Sequence, residues 1–550
     1  MESTLLVGGA GTGKTTEMLN RLQKAMERPE VGGNPLALGF SSMTRAARLT
    51  ASTRAAEAWG LERTDLERDG WFATIHAVAK RCLGIGPGEL IGDSKDDRQW
   101  ISEAMEAQLS ICLDEDDDGV PSIAGDDEAC SCLRCWDLAR ATVTPLAEIV
   151  DRWSDRLPKC PVVDEVISRI ERYEARKAAD GRLDFTDMAA RFVGLSFHPR
   201  HGIAKVRPQG KVPDEVVGWI FDEAQDTSKL IDLCCQRICT GESVLWACLV
   251  GDPFQAIHGW AGASAAHFQA WPHKKRSVMP RSYRCPPSIM ALGEACLREC
   301  SDYWDRGILP AQHEGSITEE DVEEAIASLR PDVETLVLAR TKQLRKKLVA
   351  ALRRNGIPHR HTSRSKWAKD GPTTDENACL ALWRLQHGQG ISNVQWGQVM
   401  KSLPGGRKLL KHGSQAAWKR GLAERMDFVR PENLPAAGAS EELLSVISSG
   451  QWPDLIEGGQ PWFDSVSRFG VEVTMAPKVR VGTIHSVKGD EADHVVLLSS
   501  CGWRVAMSEA GSQEAADEER RVRYVAVTRA RKSLVIAHDP RERYRMEIPT

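Results

Sequence analysis

Residues Gly8-Gly-Ala-Gly-Thr-Gly13-Lys14-Thr15 follow a short apolar run, Thr4–Val7, and lead straight into the helix-like stretch Thr15–Met26. A strand, a glycine-rich turn and a helix in that order leave few folding options. The turn aims backbone N–H groups and the positive end of the helix at one point, which suits a phosphate. Gly8, Gly11, Gly13, Lys14, Thr15 and Thr16 form that cradle, with Lys14 placed for the β- and γ-phosphates and the Thr15 hydroxyl for Mg²⁺. ATP with Mg²⁺ is therefore the expected cofactor. Units of this kind belong to parallel, doubly wound sheets, so an α/β fold is expected.

A phosphate cradle also needs carboxylates that hold the metal and activate water. Trp219-Ile-Phe-Asp222-Glu223 is an apolar run ending in two acids. Asp222 fits the Mg²⁺ position, and Glu223 fits the role of orienting and deprotonating the attacking water. A second apolar run, Leu245–Val250, ends at Gly-Asp-Pro-Phe-Gln255. Two such runs ending in polar residues are what the carboxyl edge of a parallel sheet shows.

At 550 residues the chain exceeds one hydrophobic core, and 42% hydrophobic against 27% charged residues describes a core-forming chain. The net charge of −5 excludes an overall basic coat, so any nucleic-acid contact must be a local patch. No apolar run approaches the ~20 residues that span a membrane, and the amino terminus does not read as an export signal. A cytoplasmic, nucleoid-associated location and reduced thiols are expected for the fifteen cysteines. Residues 85–183 change character, with an acidic run at Asp114–Asp118, a cysteine cluster and long amphipathic stretches. A second α/β pattern begins at Glu334–Thr341 and resumes at Val479–Gly489, with a Gly-, Trp- and Lys/Arg-rich segment between them.

The order of motifs resembles the UvrD/Rep-type helicases of superfamily I. Asp222-Glu-Ala-Gln-Asp226 and Val250-Gly-Asp-Pro-Phe-Gln255-Ala-Ile-His-Gly-Trp260 are similar to motifs II and III. Ser42–Ala47 resembles motif Ia, Thr74-Ile-His76 the segment after it, and Leu183-Asp-Phe-Thr-Asp187 the re-entry into the first lobe. Arg281-Ser-Tyr283-Arg284, Thr483–Glu491 and Arg523–Arg529 resemble motifs IV, V and VI. The resemblance implies two RecA-like lobes, 1–84 with 184–278 and 279–362 with 478–550. Mainly helical insertions would occupy 85–183 and 363–477. It also implies an ATP-dependent DNA helicase that moves 3′→5′ on single-stranded DNA, in replication, repair or recombination.

Roles follow position by position from that resemblance. Gln255 would contact the γ-phosphate and the attacking water. Tyr283 would stack on the base, Arg284 and Arg529 would reach the γ-phosphate from the second lobe, and Glu491 would touch the ribose. Thr44, His76, Thr483 and His485 would contact the DNA backbone, and His258 and Trp260 the bases. Among seventeen tryptophans, Trp260 is either such a stacking platform or a core residue. Residues 340–369 carry many Lys and Arg but no Asp or Glu, and read either as a solvated face or as a strand contact. In 401–430 a Gly405-Gly406-Arg407 turn favours duplex contact.

Several positions depart from the family. The seven residues before Gly8 leave no room for an upstream glutamine motif, so relaxed nucleotide choice is expected. Ala261 stands where the family usually has arginine, which weakens the expected coupling. Two other functions therefore stay open. One is a motor subunit coupled to a separate nuclease or repair protein; the other is a nucleotide-dependent switch that does not translocate. The expected state is a monomer or weak dimer. Cys130, Cys132 and Cys135, with Cys112 or Cys160, offer an imperfect metal spacing, and buried thiols account for them better.

Overall fold

The computed structural model describes residues 1–86, 88–92, 94–107, 112–115, 121–124, 127–154, 159–362, 373–404, 408–419 and 428–549. They form two compact units. The first comprises 1–316, 503–532 and 546–550, and the second 317–502 and 533–545.

The first unit is organised by six strands: β1 (Glu2–Val7), β2 (Leu38–Ser42), β3 (Trp71–Thr74), β4 (Gly218–Asp222), β5 (Trp246–Gly251) and β6 (Lys275–Val278). Their order is β6-β1-β5-β4-β2-β3, and every neighbouring pair is parallel. Both faces are covered, which is why β2, β4 and β5 are buried along their whole length and read as apolar runs rather than alternating ones. Helix α1 (Lys14–Met26) packs Met18, Leu22 and Ala25 on one face of the sheet, beside Leu6, Phe40 and Ile220. The other face carries Trp219, Phe221, Phe268 and Trp271. A Cβ at Gly39 of β2 would lie 2.3 Å from the Trp219 ring of the adjacent strand, so only glycine lets that indole lie flat across the sheet.

Between β3 and β4 the chain is mainly helical. Helices α2 (Glu128–Thr142) and α3 (Val163–Asp180) pack around Cys130, Leu133, Trp136, Ile149, Ile170 and Tyr173, while α4 (Phe185–Val193) adds Met188, Ala189 and Phe192 to the core beneath the first sheet. Where these helices meet, two buried cations face four carboxylates. Arg140 Nη1 lies 2.8 Å from Asp184 and 3.0 Å from Asp187, and its Nη2 lies 2.6 Å from Asp137. Lys177 Nζ lies 2.8 Å from Glu174, 2.8 Å from Asp184 and 2.6 Å from Asp187. Asp184 and Asp187 also form the capping box that starts α4, so the same two side chains satisfy its free N–H groups. Burial works against the Asp184 carboxylate, but Arg140 and Lys177 outweigh it and hold its pKa below the usual range.

The second unit has its own six-stranded sheet, built from β7 (Ser316–Asp321), β8 (Thr335–Ala339), β9 (Arg360–His361), β10 (Val479–Thr483), β11 (Ala492–Leu498) and β12 (Ala530–His538). The order is β7-β12-β11-β8-β10-β9, with β8 parallel to both β10 and β11. The segment between β9 and β10 is again mainly helical and encloses Trp396, Trp452 and Trp462 in a separate apolar cluster. Both sheets are thus α/β layers interrupted by helical segments, as the sequence predicted. Among the described residues, no helix is long and apolar enough to cross a membrane.

The basic stretch 340–369 is partly neutralised by ion pairs. Lys347 pairs with Glu542, Arg354 lies 2.8 Å from Glu323, and Arg360 lies 3.0 Å from Glu376. Residues 363–369 and the 405–407 turn lie outside the described residues.

Replacing Arg140 with Met should destabilise the first unit by about 3–5 kcal/mol, because Asp184 and Asp187 would stay largely buried and lose their guanidinium. Urea unfolding of the purified variant checks this. A loss below about 1 kcal/mol would show that the cluster behaves as an exposed ion pair.

Candidate functional site

The carboxyl ends of β1, β4 and β5 are neighbours in the sheet, so the residues that follow them converge on one edge. Gly8 N–H donates to the Gly251 carbonyl at 2.9 Å, which joins the first and third of these ends. Gly11 and Gly13 take φ values of 66° and 80°, in the left-handed region that glycine adopts without penalty. A Cβ on Gly11 would also lie 2.2 Å from the Cβ of Arg284, so this position tolerates no side chain. Lys14 Nζ donates to the Gly8 carbonyl at 3.1 Å and so lies across the cradle. Thr15 and Thr16 follow in the first turn of α1, where unpaired N–H groups face the loop.

Asp222 is buried at the tip of β4, and burial together with the adjacent Glu223 charge raises its pKa to about 7, which Lys14 only partly offsets. A buried carboxyl pushed toward neutrality favours a bound cation, and the Asp222 and Thr15 oxygens are the donor type Mg²⁺ takes. Glu223 has φ 51°, a left-handed conformation that costs a non-glycine residue about 1–3 kcal/mol. Two contacts hold it there. Its N–H donates to Asp222 Oδ1 at 2.9 Å, and its carboxylate accepts from Gln225 Nε2 at 2.5 Å. The other end of the Gln225 amide accepts from Asp252 N–H at 3.1 Å, so one side chain ties the ends of β4 and β5 together.

Gln255 closes a short 3-10 turn, Pro253–Gln255, and is buried with its Nε2 donating to Asp252 Oδ2 at 2.9 Å. Tyr283 is 72% exposed, beside the cradle, and its backbone N–H donates to the Gly11 carbonyl at 2.8 Å. An exposed ring anchored at the loop is placed for stacking on a flat ligand. Arg284 Nη1 donates to the Thr528 carbonyl at 3.3 Å, and Arg529 is buried with its Nε donating to the Val525 carbonyl at 2.9 Å. Tyr283, Arg284 and Arg529 all belong to the same compact unit as the phosphate loop.

The residues expected to contact DNA fall into two groups. In the first unit, Thr44 and Thr74 cap successive helices, accepting from Ala47 N–H at 3.1 Å and Ala77 N–H at 3.3 Å. His76 packs edge-on against Phe185 at 5.9 Å, and burial pushes its imidazole pKa down to about 4. It is therefore a neutral hydrogen-bonding group at neutral pH rather than a cation. Trp260 is 37% exposed on a 3-10 turn, edge-to-face with His258 at 6.1 Å, which rules out a core position. Thr483, His485 and Glu491 lie in the second unit. The Thr483 hydroxyl accepts from Ser486 N–H at 3.3 Å, and the Glu491 carbonyl accepts from Arg480 at 3.0 Å. Asp490 pairs with Arg480.

Residues 1–275 match the UvrD/REP helicase N-terminal domain, and residues 469–539 match the UvrD-like helicase C-terminal domain. The chain belongs to the UvrD/Rep-type superfamily I helicases. It is accordingly an ATP-dependent DNA helicase by family. Proteins named ATP-dependent DNA helicase UvrD2 from Mycobacterium tuberculosis and Mycobacterium bovis are each 23% identical to it over 602 aligned positions. The alignments take in 97% of this chain and 76% of each relative.

Several residues of this helicase site escaped the sequence reading. Arg306 and Glu294 sit in stretches with no motif, and Tyr524 lies inside motif VI without an assigned role. Gln225 lies inside motif II without an assigned role. The cysteines resolve as thiols: Cys130, Cys132 and Cys135 are buried on α2, and burial pushes the Cys132 thiol up to about 12. Cys135 and Cys160 approach to 3.9 Å between sulfurs, while the side chain of Cys112 lies outside the described residues. Among the described residues, the one cluster with metal-like spacing is Glu174, Asp184 and Asp187, which Arg140 and Lys177 already fill.

Lys14→Ala should abolish ATP turnover with the fold retained, since among the described residues the ammonium hydrogen-bonds only to the Gly8 carbonyl of the loop. Glu223→Gln should keep ATP binding and lose turnover. Equilibrium binding of a fluorescent ATP analogue beside phosphate release checks both, and loss of binding in Glu223→Gln would make that residue structural.

Proposed function

We propose that this helicase translocates 3′→5′ along single-stranded DNA and separates duplexes at single-strand/double-strand junctions during repair or recombination. The observation that carries the reading is the short path from Gln255 to Trp260. Gln255 is buried against Asp252 at the sheet edge, and five residues later Trp260 is exposed on a 3-10 turn. One loop therefore joins the position that would sense the γ-phosphate to a ring that would stack on a base.

In this reading Lys14 and the N–H groups of the Gly8–Thr16 segment bind the phosphates. Glu223, fixed by Gln225, takes the proton of the attacking water. Arg284 and Arg529 balance charge on the leaving phosphate, and Tyr283 stacks on the base. Glu491 is assigned to the ribose. Mg²⁺, when bound through Asp222 and Thr15, supplies further charge neutralisation. Thr44, His76, Thr483 and His485 hold the sugar–phosphate backbone, and His258 stands behind Trp260. We assign residues 1–84 with 184–278 and 279–362 with 478–550 to the motor lobes. The separate apolar clusters within 91–173 and 378–466 support insertions at 85–183 and 363–477.

A motor subunit for a separate nuclease is the second reading, favoured by Ala261 at the end of the Trp260 turn. Displacement of a strand from a 3′-tailed duplex by the isolated protein separates the two. Robust displacement supports the helicase, and translocation without displacement supports the coupled motor.

Trp260→Ala should weaken single-stranded DNA binding by about ten- to a hundredfold, the loss of ~1–3 kcal/mol of stacking. DNA-independent ATP turnover and melting temperature should change little, because the ring is exposed. ATPase titrations with single-stranded DNA check this, and an unchanged apparent affinity would remove the stacking role.

A further inference from the structure

Asp252 is buried, and its carboxylate is a meeting point for distant segments of the chain. Arg306 Nη1 donates to Oδ1 at 2.7 Å, and the Tyr524 hydroxyl donates to Oδ2 at 3.1 Å. Gln255 Nε2 donates to the same Oδ2 at 2.9 Å. The Tyr524 hydroxyl in turn accepts from Ala10 N–H of the phosphate loop at 3.2 Å and from Arg306 Nη1 at 3.3 Å. One donor and two acceptor positions are all that a hydroxyl has, so this one is saturated. The Ala10 carbonyl accepts from the Ser282 hydroxyl at 2.8 Å, so a single residue of the loop is held through both of its peptide bonds. Arg306 also pairs with Glu294, and its guanidinium lies 4.8 Å from the Phe254 ring centre and 5.1 Å from that of Tyr524.

Burying a guanidinium and a carboxylate is a poor way to gain stability, since an apolar pair of similar volume does as well or better. What such a pair does supply is fixed geometry. The fork of Arg306 reaches Asp252 and Tyr524 through Nη1 and Glu294 through Nη2, a fixed spread that the single nitrogen of a lysine does not reproduce. Two groups depend on that geometry: the Gln255 amide and the Ala10 peptide.

We propose that Arg306 and Tyr524 are positioning residues for ATP hydrolysis. Arg306 fixes Asp252, and Asp252 aims the Gln255 amide; the Tyr524 hydroxyl fixes the phosphate loop at Ala10. Neither residue touches nucleotide, and the proposal rests on the assignment of the Gly8–Thr16 cradle and Gln255 to ATP. Turnover therefore depends on two side chains outside the site, one of them in a stretch that carries no motif.

Tyr524→Phe tests this with the ring retained. In the full-length protein with saturating single-stranded DNA, kcat should fall about three- to tenfold as the hydroxyl's ties to Asp252 and Ala10 are lost. The KM for ATP and the affinity for a fluorescent ATP analogue should stay within about twofold, because the phosphate contacts themselves remain. Arg306→Lys keeps the charge beside Asp252 but not the fork, and should show the same split between kcat and KM. A wild-type kcat per folded molecule in Tyr524→Phe overturns the proposal, as does a fall in ATP affinity that accounts for the whole loss. If Tyr524→Phe does not fold, Arg306→Lys decides by the same readouts. Absence of ATP binding and turnover in the wild-type protein, with and without DNA, overturns the ATP assignment itself, whereas normal wild-type turnover with unaffected variants overturns the positioning roles alone.

Discussion

The chemistry of this protein depends on a constraint of parallel sheets: all strands end on the same edge. Because β1, β5 and β4 are consecutive neighbours, Gly8, Asp252 and Asp222 arrive within one short row without any loop having to reach for them. The Gly8–Gly251 and Gln225–Asp252 hydrogen bonds then lock that row. Everything downstream is arranged around it, from the strained backbone of Glu223 to the buried guanidinium of Arg306.

Buried charge recurs in two places and is handled the same way in both. Where helices α2, α3 and α4 meet, Arg140 and Lys177 face four carboxylates; at the sheet edge, Arg306 faces Asp252 and Glu294. In each case an acid that already serves the backbone is recruited as the counter-charge. Asp184 and Asp187 cap a helix, and Asp252 starts the turn that carries Gln255. Desolvation is costly, so one carboxylate that satisfies a guanidinium and a free N–H together needs less compensation than two separate ones.

The parts of the fold that were legible in the sequence are those governed by local rules. Gly11 and Gly13 announce the loop because no other residue takes their backbone angles so readily, and Trp219–Asp222 announces a central strand because both of its faces are covered. The order of motifs gave the family. Tyr283 and Trp260 were readable as exposed rings only through that resemblance, since an indole in a sequence does not reveal which side of a surface it occupies. Arg306, Glu294 and Gln225 were not legible at all. Arg306 acts through partners 12 to 218 residues away and Gln225 joins Glu223 to Asp252, 27 residues on, and no periodicity or turn signal marks such a residue. The three cysteines on α2 show the reverse case: a suggestive spacing that the fold uses for packing.

The backbone of Glu223 carries a consequence of its own. A left-handed conformation costs a side-chain-bearing residue roughly 1–2 kcal/mol, and glycine would be free of that cost. The position that performs proton abstraction in the proposed mechanism is thus one where the folded state would gain from losing the carboxylate. Selection for robustness alone would drift this site toward an inert protein, and only continued demand for turnover keeps glutamate there.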